Sequence, residues 1–493
     1  MSSSASLPDL RARYGPRYRW LLLLSVMVGT IASIMSSTIV NVAVPDMSHQ
    51  FALGPSRAAW VSSGFMVAMT SSMLTTPWLL ARYGYRRTYS GAMWLLMAGS
   101  IAGGFASDYG LVLAARVAEG LAAGVVQPIP AIIILRAFQP HEQGRATGIF
   151  GMGVVLAPAI GPSIGGLLVE AFGWRSIFFM VVPFCIASLW LARTYVPMTA
   201  PGGAAATRDG GRLDWYGLVL GTVGTLCLLN GMVELHARPG AFAVLLLAGA
   251  VLAFGIFIWW QQRQTHGGGL PLMDMRLFQS RAYAMGCVVS GIYGTALFGS
   301  TYLLPVYMQS ALHLSAAHVG TILVPASLVL AGTMALVGRL ADRQPASLLV
   351  STGLLLLAAS FALMLTVPAA SPIAWLVAWA ILGRIGLGFI LPSLNLGAMR
   401  SLDRSLIPQG ASAINFLRML GGATGVSLCG IVLEWRLAAH GQSFTNQGVG
   451  PDRLAAFNET FLMLAALCVL AIAAAWQLRS TPAVRDSGPR AGP

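Results

Sequence analysis

The chain has 493 residues, 56% of them apolar and 9% charged, with a formal net charge of +14 and a mean hydropathy of +0.73. Soluble domains carry roughly 25% charged residues, so most of this surface does not face water. All 30 basic residues are Arg; that excludes a P-loop lysine and Schiff-base chemistry, and basic cytoplasmic loops explain the charge better than nucleic-acid binding does.

Apolar runs long enough to cross ~30 Å of hydrocarbon alternate with short Arg-bearing loops. The predicted spans are 20–44, 58–80, 88–106, 109–134, 146–169, 176–193, 215–234 and 241–261, then 282–307, 317–338, 347–367, 373–396, 408–433 and 459–478. The first follows a basic stretch, as a signal peptide would. Its apolar run has no convincing A-x-A site, so it reads as an uncleaved span. With the N-terminus inside, the inner loops hold 22 Arg and the outer loops 5. This predicts about fourteen helices in a bacterial inner membrane, with both termini cytoplasmic.

The pattern repeats internally. WLLARYGYRR (78–87) after span 2 is echoed by GRLADR (338–343) after span 10, and RVAEGLAAG (116–124) in span 4 by RIGLGFILP (384–392) in span 12. QGRATGIFGMG (143–153) in span 5 is echoed by QGASAINFLRMLGG (409–422) in span 13. Spans 1–6 therefore pair with spans 9–14. The expected organisation is a six-helix bundle over 1–193, two additional helices with linker loops over 194–281, and a second bundle with a tail over 282–493. Inverted or parallel helical repeats around a central substrate site are the architecture of secondary transporters.

At these motifs the chain resembles the major facilitator superfamily, specifically its fourteen-span drug:proton antiporters of the EmrB/QacA type. TIVNVAVPDM (38–47), LLARYGYRR, RVAEG, APAIGPSIGGLL (157–168) and WRSIFFMVVP (174–183) occur in the family's order. The resemblance implies two six-helix bundles with two extra central helices, and proton-coupled antiport of amphipathic or cationic compounds by alternating access. It implies neither covalent catalysis nor a cofactor or metal. Small molecules, protons and membrane lipid are the expected partners; a periplasmic adaptor with an outer-membrane channel is a further one. The alternatives are a lipid or metabolite transporter with weak or no proton coupling, and a non-transporting sensor or assembly partner.

Residue by residue, the resemblance gives Arg82, Gly84, Arg86 and Arg87, with Asp342 and Arg343 of the second copy, the role of a latch between halves. The family's usual acid in the first copy is Ala81 here. In span 5, Gly161, Pro162, Gly165 and Gly166 form a kinked small-residue face that permits close helix approach. The family commonly carries an Asp two residues before the Thr of TIVNVA, and this chain has Ser36. Few acids lie within spans, and intramembrane charges are costly and usually functional or paired. The proton-coupling candidates are therefore Glu119, with Arg116 three residues before it on one helix face, then Glu434 and Arg418. Substrate-cavity candidates are Met35, Ser36, Asn41, Trp60, Phe65, Met69, Gln127, Tyr293, Tyr302, Gln309 and Asn415, because Met and aromatic side chains suit promiscuous apolar ligands.

Overall fold

The computed structural model describes residues 7–199, 211–237, 240–366, 373–442 and 451–478. Among these residues every regular element is a helix. A short α1 (Leu7–Tyr14) leads into α2 (Tyr18–Gln50), followed by α3 (Pro55–Met73), α4 (Thr76–Tyr83), α5 (Tyr85–Gly104), α6 (Tyr109–Val126), α7 (Ile129–Ala137), α8 (Gln143–Phe172) and α9 (Ser176–Tyr195). Next come α10 (Trp215–Ala237) and α11 (Ala241–His266). The chain ends in α12 (Arg281–Ser310), α13 (Ala316–Leu340), α14 (Ala346–Met364), α15 (Ile373–Met399), α16 (Ile407–Ala439) and α17 (Pro451–Ala475).

Eleven of the described helical stretches are long and apolar enough to cross a membrane. The other expected spans, 58–80, 88–106 and 146–169, coincide with α3 plus α4, α5 and α8. Two spans are broken. The α3–α4 break falls at Leu74–Thr75 beside Pro77, and the α6–α7 break at Gln127–Pro128. Proline withholds a backbone donor and interrupts the helical ladder.

Helices α2 to α9 pack on one another, with α3 and α5 on α6 and with α8 and α9 on α2. A second group joins α12 to α16, α14 to α15 and α17, and α13 to α15. The groups meet along two seams. At one, α8 lies on α13; at the other, α3 and α4 approach α16. Helix α10 rests against both α3 and α16, with α11 paired to it.

Asp214 fixes this extra pair. Its carboxylate accepts the Gly217 N–H at the start of α10 and the side-chain N–H groups of Trp260 and Gln261 on α11, at 2.7–2.9 Å. Gln261 in turn accepts the Met273 N–H, and the Asp274 N–H is bound by Gln409 of α16. A buried carboxylate with three donors is well compensated. The extra helices are thus tied to the start of α16.

Candidate functional site

Two features could handle charge inside the bundle. The first lies within the group α2 to α9. Helix α6 starts at an Asp108 cap and runs through Arg116 and Glu119, both buried, with 0% and 1% exposure. Spacing of three places them on one face. Arg116 Nη1 donates to Glu119 Oε2 at 2.6 Å and to the Ser36 hydroxyl and carbonyl oxygens at 3.1 Å. Its Nε donates to the Val61 carbonyl at 3.2 Å, and the guanidinium sits 4.2 Å from the Phe65 ring centroid. The Ser100 hydroxyl donates to Glu119 Oε1 at 2.7 Å. Gly99 makes that approach possible, because a Cβ there would press on the Glu119 side chain. Four helices therefore converge on one ion pair.

Spacing alone brings Arg116 to Glu119. Sequence reading did not reach Ser100 or the Val61 carbonyl, since neither has a local signature. The only available signal was a lone Ser inside the small-residue run GSIAGG (99–104).

The second feature is a cavity of about 70 Å³ between the two groups, bordered by Gln127 at the α6–α7 break, Phe150 on α8, Asn395 on α15, and Asn415 and Arg418 on α16. Arg418 donates to Asn415 Oδ1, and Asn415 donates back to the Ala411 carbonyl. Tyr293, 1% exposed on α12, lies within electrostatic reach of both Arg418 and Arg384. Drug-sized ligands need roughly 300–1,000 Å³, so this cavity must widen to hold one.

The remaining candidates are dispersed. Met35 is buried on α2, and Met69 packs with Phe65 against Met419 across the α3–α16 seam. Asn41 is exposed and accepts the Ser62 hydroxyl at 2.8 Å. Tyr302 and Glu434 are half-buried near one end of the second group, and Gln309 is exposed. Trp60 borders a different space, an apolar cleft of about 680 Å³ between α3, α5, α6 and α10 that Arg87 also lines. The larger cleft is therefore outside the interface of the two groups.

The small face of α8 meets α2. A Cβ on Gly161 would approach Thr38, one on Gly165 would strike Ile39, and Gly166 faces open space. Pro162 continues the helix backbone; its side chain lies outside the described set. In the first latch copy, Gly84 turns the chain between α4 and α5 at φ 79°, a value that favours glycine. Arg82 lies over Trp78, and Arg86 donates to the Val196 carbonyl at 2.6 Å. The second copy crosses between groups: the Asp342 carboxylate accepts the N–H groups of Gly144 and Arg145 at 2.6 and 2.9 Å, while Arg343 is exposed. Arg136 to the Arg404 carbonyl and Arg400 to the Pro140 carbonyl close the same face. Among the described residues no cluster of three His, Cys, Asp or Glu side chains could hold a metal.

Two packed helical groups with apolar, membrane-length helices and buried charged side chains define a polytopic membrane protein. The family model described as Major Facilitator Superfamily matches residues 26–426, and the chain belongs to that superfamily. It is 30% identical over 421 residues to the Multidrug resistance protein B homolog of Mycobacterium tuberculosis, covering 84% of this chain and 77% of that one. It is 25% identical over 444 residues to the Lincomycin resistance protein LmrB of Listeria monocytogenes, covering 88% and 90%. The fold is similar to the crystal structure of the human organic anion transporter MFSD10, with TM-score 0.67, 14% identity and coverage of 93% and 99%. It is also similar to the proton:xylose symporter XylE, with TM-score 0.64, 13% identity and coverage of 93% and 95%. The protein moves a small-molecule substrate and is not an enzyme.

Proposed function

We propose that this protein is a proton-coupled exporter of amphipathic compounds in the inner membrane, with fourteen spans and both termini cytoplasmic. The resistance proteins to which it is similar support the substrate class, and the helical pieces at all fourteen expected spans support the drug:proton antiporter subtype. The bundles would be 1–193 and 282–493, with 194–281 supplying the extra helices. The Arg-rich face, joined by Asp342, Arg136 and Arg400, would be the closed cytoplasmic side of an outward-facing state. Alternating access then proceeds by rocking the bundles about the α8–α13 and α3–α16 seams.

The carrying observation is the pairing of Glu119 with Ser100. A Ser hydroxyl donates to a carboxylate and accepts from a carboxylic acid, so one partner satisfies Glu119 in both protonation states. Arg116 meanwhile keeps Ser36, Val61 and Phe65 when Glu119 is protonated. The ion pair can open without leaving the guanidinium bare.

The test is flux in proteoliposomes with an imposed pH gradient. Glu119→Gln should abolish gradient-driven accumulation while leaving substrate binding within about two-fold, since its amide oxygen still accepts from Arg116 and its amide N–H can donate to the Ser100 hydroxyl. Retention of full gradient-driven transport by that variant would remove Glu119 from proton coupling.

A further inference from the structure

The cavity between the bundles is cationic. Arg418 borders it, and among the described residues its guanidinium hydrogen-bonds the neutral Asn415. Arg384, on α15, borders a small pocket beside Ser300 and Ser360 and makes no hydrogen bond or ion pair among the described residues. Tyr293 lies within electrostatic reach of each guanidinium, and among the described residues no acid borders either pocket. Both arginines stay charged at any working pH.

The described acids nearest along the chain are placed elsewhere. Glu119 is committed to Arg116 and Ser100. Glu434 is sixteen residues from Arg418 on the same helix, about 24 Å along its axis at 1.5 Å per residue. Asp403 precedes α16, fifteen residues before Arg418 in the chain. The groups that the other bundle presents to the cavity, Gln127, Thr147 and Phe150, are neutral.

Uncompensated charge within a membrane bundle marks a substrate or ion pathway, and arginine-lined passages admit anions and repel cations. We infer that the transported compounds carry an anionic group, a carboxylate, sulfonate or phosphate, held directly by Arg418 with Arg384 strengthening the field behind Tyr293. The guanidinium suits such a group, because its planar donors match two oxygens at once. Asn415 and Asn395 would complete the polar end, while Phe150, Ile134 and Leu391 hold the apolar body. Between amphipathic and cationic substrates, this site selects an amphipathic anion. An outward-moving anion also runs with the inside-negative potential rather than against it.

This inference rests on the transport reading, and binding separates the two. Sulforhodamine B and rhodamine 6G share a xanthene frame and differ in the sign of net charge. Anisotropy titrations of the detergent-solubilised full chain should show the anionic dye bound about ten-fold or more tightly than the cationic one, the effect of one charge-assisted hydrogen bond. Arg418→Gln should weaken the anionic dye by a similar factor and leave the cationic dye unchanged or tighter; Arg418→Lys should retain most of the preference. Preference for rhodamine 6G, no binding of sulforhodamine B, or an Arg418→Gln variant with wild-type binding of both dyes would overturn the inference. The wild-type comparison decides even if the glutamine variant fails to fold. Loss of pH dependence with the sign preference intact would sink the coupling reading alone.

Discussion

Asp342, just past the end of α13, caps the start of α8 on the other bundle by accepting the Gly144 N–H at 2.6 Å and the Arg145 N–H at 2.9 Å. An anion at a helix N-terminus satisfies orphan donors and the positive end of the dipole. The second copy of the repeat motif therefore acts across the seam. In the first copy, Ala81 stands in place of the acid, Arg86 binds the Val196 carbonyl and Arg82 lies over Trp78.

Asp342→Asn should loosen this closed face. Losing the charge, and one of the two N–H acceptors, costs about 0.5–2 kcal/mol, or roughly a two- to thirty-fold shift between access states. Paired spin labels on the loops after α7 and α15 should show a larger population at long distance. A distance distribution identical to wild type would mean that the cap carries no conformational weight.

Close approach at the same seam predicts a stronger effect. A Cβ on Gly148 would collide with the Met334 carbonyl and with Gly338, which is backbone rather than a movable side chain. Gly148→Leu should therefore favour the state in which α8 and α13 separate here. Cysteines placed on these two helices should cross-link several-fold more slowly in that background; unchanged cross-linking would show that the seam tolerates the added volume.

The extra helix pair offers a stability test. Asp214→Ala orphans Trp260 and Gln261 donors and removes the α10 cap, at a cost of about 2–4 kcal/mol. The purified variant should unfold at lower temperature, and the loop joining α11 to α12 should become more sensitive to protease. Wild-type protease resistance would show that the Gln261–Met273 and Gln409–Asp274 bonds hold the loop without Asp214.

Much of the fold was legible because hydrophobic length is a one-dimensional property. Each predicted span coincides with a helix or a broken pair, and the Arg116–Glu119 contact follows from helical spacing alone. What the sequence hid was orientation. Membrane helices that are apolar all round have little amphipathic signal, so Trp60 was expected in the cavity although its face turns toward α10. Helix α5 is less apolar than the other spans, because its run includes Arg86, Arg87 and three Gly in its last six residues, and the α3–α4 span is interrupted. Ser100 and the Val61 carbonyl were invisible for a different reason: they reach the ion pair only through tertiary packing.

The last prediction joins Ser36 to Glu119. The resembled family commonly has an acid at the first-span position that Ser36 occupies, and here the Ser36 hydroxyl is 3.1 Å from Arg116 Nη1. Both positions therefore address one guanidinium from different helices. A carboxylate at 36 would reach the same nitrogen, and a salt bridge is interchangeable between helices if the cation stays fixed by Val61 and Phe65. Ser36→Asp added to Glu119→Gln should restore pH-gradient-driven transport to a substantial fraction of wild type, whereas Ser36→Asn should not. Ser36→Asp alone should place two acids on one guanidinium, and like charges at one site drive one of them to take up a proton; its transport should shift its pH profile relative to wild type. Failure of the double variant, with normal expression and dye binding, would show that coupling needs the Glu119–Ser100 contact and not merely an acid beside Arg116. Restoration by Ser36→Asn would show that hydrogen bonding to Arg116, rather than a titrating carboxyl, is what transport requires.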